Sequence, residues 1–211
     1  MAGSVASDVT AVLAVVAPGL TIARTVPQGV RVARHGAEGV SVSTWVLLLA
    51  VAELWTIYGF FAKVPAEVAT NVPNGLLCLA VVVLVARRRK EVARTLVLTA
   101  LVSAAVALLS VLCALGHVEG IEAAVSVAGS LSLYLPQLVI ALRARDLSGV
   151  SLSSWLLALC GSIAWGAYGL FIHKVAVYVP TIVMLPSAAA ISIAIVSSSR
   201  ARTLAREAAT R

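Results

Sequence analysis

Seven apolar stretches, each near 20 residues, divide this chain: roughly 8–33, 43–62, 66–86, 95–116, 120–142, 152–172 and 176–197. About 20 helical residues cross a hydrocarbon core of about 30 Å. Lipid offers no partner to a backbone N–H or C=O, so a spanning segment must satisfy its own, as a helix does. Alternation at period two, the mark of a membrane barrel, is absent. Composition agrees, with 61% hydrophobic and 12% charged residues among 211, against about 45–50% and about 25% in soluble domains. The expected fold class is an all-α integral membrane protein with seven transmembrane helices. No basic segment precedes the first apolar run (MAGSVASD), so a cleaved signal peptide is not expected.

The net charge of +7 is distributed as a topology signal, not as a nucleic-acid footprint. With seven spans, one face receives thirteen Lys or Arg residues, including the run Arg87, Arg88, Arg89 and Lys90. The other face receives only Lys63 and Lys174, and Arg24 is left inside a span. The positive-inside rule places the amino terminus outside and the carboxyl terminus in the cytoplasm. Ala-, Val- and Arg-heavy usage is compatible with a bacterial plasma membrane. Cys78, Cys113 and Cys160 fall inside spans, where small packing residues are expected rather than disulfides or metal ligands. The sequence carries no nucleophile elbow, His-Glu-x-x-His or P-loop, so neither an enzyme nor an ATPase is expected, and no cofactor or metal.

The strongest internal pattern is a duplication. Residues 39–61, GVSVSTWVLLLAVAELWTIYGFF, align without gaps to residues 149–171, GVSLSSWLLALCGSIAWGAYGLF, with 11 of 23 positions identical. All four tryptophans, Trp45, Trp55, Trp155 and Trp165, fall in two pairs 110 residues apart. Pro27-Gln28 precedes the first copy and Pro136-Gln137 the second. The repeat unit is three spans. Three crossings would invert a second copy joined directly, yet both copies place their basic turn on one face. An odd number of spacer helices must intervene, and span 95–116 supplies one. The expected organisation is a first repeat at 1–90, a linker helix at 91–118, a second repeat at 119–200 and a cytoplasmic tail at 201–211. Parallel repeats about an axis along the membrane normal form a transporter plan with substrate near the midplane.

Pro-Gln, Gly-Val-Ser and Trp-x-x-Tyr-Gly followed by Asn, twice in register over nearly the whole chain, resemble the PQ-loop superfamily. The 3+1+3 order resembles its SWEET sugar transporters, two parallel three-helix bundles joined by a linker helix. The resemblance implies two units rocking against each other, with Pro27 and Pro136 as hinges. It also implies a sugar pocket lined by a Trp and an Asn from each unit. Here these are Trp55 and Asn71 in the first copy; in the second they are Trp165 and, departing from the pattern, Thr181.

Each residue also has a plainer reading. A proline kink is either a hinge or a static bend. Gln28 and Gln137 either bond carbonyls freed by the kink or reach lipid headgroups. Trp45 and Trp155, at helix starts, are expected to be interfacial anchors. Trp55 and Trp165, ten residues deeper, either stack on a sugar ring or pack the core. Tyr58 and Tyr168, one turn on, are gate or belt residues. Asn71 and Asn74 either face a hydroxylated substrate or make interhelical bonds. Arg24 and Glu53 are intramembrane charges and so functional suspects. They form an ion pair, or Glu53 exchanges a proton, or both reach water or polar contacts.

The expected function is equilibration of a small sugar across the bilayer by alternating access. The competing readings are a proton-coupled amino-acid carrier of the PQ-loop superfamily and a non-transporting receptor or scaffold. The partners are a small-molecule substrate and the lipid bilayer, without nucleic acid; a homo-oligomer is compatible with this.

Overall fold

The computed structural model describes residues 2–35, 41–116, 119–143, 147 and 150–209. Its helices are α1 (Ala2–His35), α2 (Val42–Phe61), α3 (Pro65–Arg89), α4 (Val92–Leu115), α5 (Glu119–Arg143), α6 (Leu152–Phe171), α7 (Val175–Tyr178) and α8 (Thr181–Ala209). Seven segments are long and apolar enough to cross a membrane, the last running through α7 and α8. The seventh crossing is therefore broken, where the sequence reads as one helix. Pro180 has no N–H to continue the ladder, and the chain turns at Val179 before Met184 N–H re-forms a bond to the Pro180 carbonyl at 3.0 Å. The first copy has Thr70 at the matching position and α3 is continuous. α8 runs on through residues 201–209, which the sequence reads as a tail.

The duplicated motif is a set of local devices. Ser41 and Ser151 are N-caps whose Oγ atoms accept from the N–H of Thr44 and Ser154 at 3.3 and 3.4 Å. A serine at this position satisfies one of the unpaired donors of a helix start. At the other end of each helix, Lys63 and His173 take left-handed φ values of 57° and 54°. Those turns bring Val64 N–H to the Gly59 carbonyl at 2.7 Å and Lys174 N–H to the Gly169 carbonyl at 2.9 Å. The chain then doubles back so closely that only glycine fits at 59 and 169.

In the first repeat α3 packs against α1 and α2; in the second, α8 packs against α5 and α6. The repeats meet through α1 with α6 and α2 with α5, and α4 lies against α2, α3 and α5. One buried cluster joins the repeats at the Lys63/Lys174 face, with Tyr58, Ala62 and Val64 from the first and Tyr168, Ala176 and Val177 from the second. Toward the basic face the buried clusters among the described residues stay within one repeat. Trp45 and Val82 centre one, with Val102 of α4 at its edge, and Ile191 and Tyr134 belong to two others. The cavity between the repeats is thus capped by apolar packing at the Lys63/Lys174 end.

Trp45 corrects an expectation. It is only 3% exposed and packs among Val46, Leu49 and Val82, so it is a core residue and not an interfacial anchor. Trp155 is half-buried, with its ring edge-on to Tyr134 at 5.9 Å. Cys78 and Cys113 are buried, whereas Cys160 is exposed; all three are free thiols.

Candidate substrate cavity

A cavity of about 160 Å³ lies between the two repeats. An apolar cavity of about 150 Å³ admits a benzene ring, so this one has room for a six-membered ring. Its walls include all five residues expected to bind substrate: Trp55, Asn71, Asn74, Trp165 and Thr181. Arg24 also faces it; Glu53 does not line it. Tyr58 and Tyr168 lie in the apolar cluster that caps it, each about 5% exposed, at 5% and 4%. Their rings meet Trp55 and Trp165 edge-on at 5.5 and 5.8 Å. The backbone is helical at Pro27, Gln28, Pro136 and Gln137, whose side chains lie outside the described residues.

The two indoles are held by a reciprocal pair of bonds. Trp55 Nε1 donates to Ser130 Oγ at 2.8 Å, and Trp165 Nε1 donates to Thr21 Oγ1 at 3.0 Å. Thr21 and Ser130 each lie six residues before their Pro-Gln step. Each repeat therefore supplies an indole to the hydroxyl of the other. A buried indole N–H without a partner would be costly. Once engaged, each indole has only its apolar body left to offer the cavity. The sequence shows both hydroxyls, but only the fold brings them to the opposite tryptophans.

The polar wall is uneven. Asn71 Nδ2 donates to Glu67 Oε2 and to the Glu67 carbonyl, both at 2.9 Å. Glu67 is 6% exposed and lines the cavity. Sequence reasoning misses it, because a third span over 66–86 puts Glu67 at its edge and not well inside. The signal was present: Glu67, Asn71 and Asn74 are spaced i, i+4, i+7, one stripe of a helix. In the second repeat Val177 holds the place of Glu67. Thr181 Oγ1 donates to the Tyr178 carbonyl at 2.5 Å, and it sits over Gly166, where a Cβ would come within 2.9 Å of that oxygen.

The two charges singled out from sequence have separate partners. Arg24 Nη1 donates to Tyr134 Oη at 2.7 Å, with the guanidinium carbon 5.5 Å from the centre of that ring. Glu53 accepts from Ser103 of α4 at 2.7 Å on Oε1, while its buried Oε2 has no hydrogen-bond partner. Among the described residues there is no Arg24–Glu53 ion pair. Glu53 faces the linker helix, and Arg24 ties α1 to α5 across the repeats.

The same architecture is found in a solved protein. The structure described as "The 3.7 A resolution structure of a eukaryotic SWEET transporter" matches with a TM-score of 0.76 and 17% identity, covering 92% of this chain and 97% of the other. The fold is that of a SWEET transporter. Residues 123–176, α5 through the start of α7, match the PQ loop repeat family. No curated protein matches the sequence. The SWEET fold accounts for the parallel copies, and α4 supplies the odd crossing between them.

Proposed function

We propose that this protein is a membrane transporter that carries a small sugar across the bilayer by alternating access, as a uniporter. The observation that carries the reading is the chamber between two like-oriented repeats, walled by paired indoles whose N–H groups are already satisfied. An indole restricted in this way offers a flat apolar surface suited to the apolar face of a pyranose. Nearby oxygens of Glu67, Asn71 and Thr181 suit its hydroxyls. Apolar closure at the Lys63/Lys174 end, without an equivalent joined cluster toward the basic face among the described residues, corresponds to one of two access states. The basic face is assigned to the cytoplasm by the positive-inside rule. A receptor or scaffold needs no such polar chamber; the proton-coupled reading loses Glu53, which lies outside the cavity, and has Glu67 in its place.

The test is exchange of labelled glucose in vesicles holding the purified protein. Saturable flux, accelerated by unlabelled glucose on the far side and unchanged by an imposed pH gradient, is the expected result. Glu53→Gln should exchange glucose within about twofold of the unaltered protein, because the amide can still accept from Ser103. Flux no greater than in protein-free vesicles contradicts the carrier reading. A pH-driven flux favours the proton-coupled one, through Glu53 if Glu53→Gln removes it and through Glu67 if Glu67→Gln does.

A further inference from the structure

The cavity carries two ionisable side chains at opposite ends. Glu67 abuts Gly59, one turn from Trp55 toward the Lys63/Lys174 face. Arg24 lies one turn from Thr21 toward the basic face, and Thr21 holds the Trp165 indole. Along the helix axes their backbone positions are offset by roughly two turns, about 11 Å. Arg24 is, moreover, already engaged by the oxygen and the ring of Tyr134.

Four donor groups around Glu67 are also engaged. Both hydrogens of the Asn71 amide point to Glu67, and the Thr181 hydroxyl is given to the Tyr178 carbonyl. The neighbouring Thr70 hydroxyl donates to the Ala66 carbonyl at 2.7 Å, and the Trp55 N–H to Ser130. What these groups leave for a ligand is acceptors: the Glu67 carboxylate, Asn71 Oδ1 and Thr181 Oγ1. An ammonium is the complementary group, with three donors and no acceptor, and its bond to a carboxylate is charge-assisted. A buried carboxylate with an amide as partner gains more from a cation than from a neutral hydroxyl.

We propose that Glu67 gives the cavity a preference for polyols bearing a protonated amine, so that an amino sugar is taken over the neutral sugar of the same shape. The inference rests on the carrier reading and refines its substrate class. Glucose and glucosamine differ at one position, a hydroxyl against an ammonium, and both are measured as competitors of labelled glucose flux. The expected half-inhibition by glucosamine is about tenfold lower than by glucose, the margin of a charge-assisted over a neutral bond. Glu67→Asp keeps most of that margin, while Glu67→Gln reduces it to about twofold or less. Equal competition in the unaltered protein overturns the inference, as does a margin that survives in Glu67→Gln. Should Glu67→Gln carry no sugar at all, Glu67→Asp decides: loss of the margin with glucose flux retained overturns the inference, and its persistence supports it. Glucose flux with equal competition leaves the carrier reading standing, whereas no flux of either sugar removes both.

Discussion

Trp55→Ala should lower glucose exchange about a hundredfold, close to protein-free vesicles. Trp55 is 7% exposed, forms one wall of the cavity and ties α2 to Ser130 of the opposite repeat. Truncating a buried tryptophan costs roughly 3–5 kcal/mol, and even about 3 kcal/mol in substrate affinity is a factor above a hundred. Trp55→Phe separates the two contributions. It keeps a ring for stacking and removes only the N–H donor, so it should retain exchange with a several-fold loss. Ser130→Ala should fall in the same range, because it breaks the same bond from the other side. If Trp55→Ala exchanged glucose like the unaltered protein, the indole would have no part in the path.

Gly169→Ala should lower the melting temperature of the detergent-solubilised protein by roughly 3–10 °C. A Cβ at 169 would lie 2.7 Å from the Tyr178 amide nitrogen and 3.1 Å from the Val177 carbonyl carbon. Backbone cannot swing aside as a side-chain tip can, so the α6–α7 turn must open. Gly59→Ala should behave similarly, with a Cβ 2.7 Å from Glu67 Cβ and 3.0 Å from the Val64 carbonyl oxygen. Gly19 and Gly120 supply the controls. A Cβ at either meets nothing within 4 Å, and alanine is the better helix former, so those substitutions should leave the melting temperature unchanged or slightly raised. Thermal melts of the four variants, followed by light scattering or intrinsic fluorescence, check the contrast.

These expectations show which parts of the molecule were legible in the amino-acid order. Span count, parallel repeats and an intervening helix follow from hydrophobic length, the 110-residue register and charge on alternate turns. Lipid leaves few other solutions for a chain with that pattern. The motif residues were visible, but their duties were only partly so. Ser41 and Ser151 read as part of a repeat and prove to be caps. Trp45 reads as an interfacial residue because it stands at a helix start. It is instead covered by α3, which no local pattern reveals.

The site required tertiary knowledge. Thr21 and Ser130 look like ordinary hydroxyls inside apolar runs until the opposite tryptophan is placed on each. Arg24 and Glu53 looked like natural partners because both were lone charges. Helix packing sends one to Tyr134 and the other to Ser103. Glu67 escaped notice because hydropathy locates the end of a span only to within a turn, and one turn decides whether a carboxylate meets solvent or a cavity. The break at Pro180 was also written in the sequence, since a proline in place of Thr70 removes a ladder donor.

The central claim is that a water-accessible chamber between the repeats opens to each face in turn. Its most direct test uses Asn74→Cys on the cavity wall, in a protein whose Cys78, Cys113 and Cys160 are replaced by serine or alanine. A charged, membrane-impermeant thiol reagent is applied to one face of sealed vesicles and then, in a separate experiment, to the other. The account predicts labelling from both faces, slowed by glucose in each case. Labelling from one face only, or by lipid-soluble reagents alone, would contradict it.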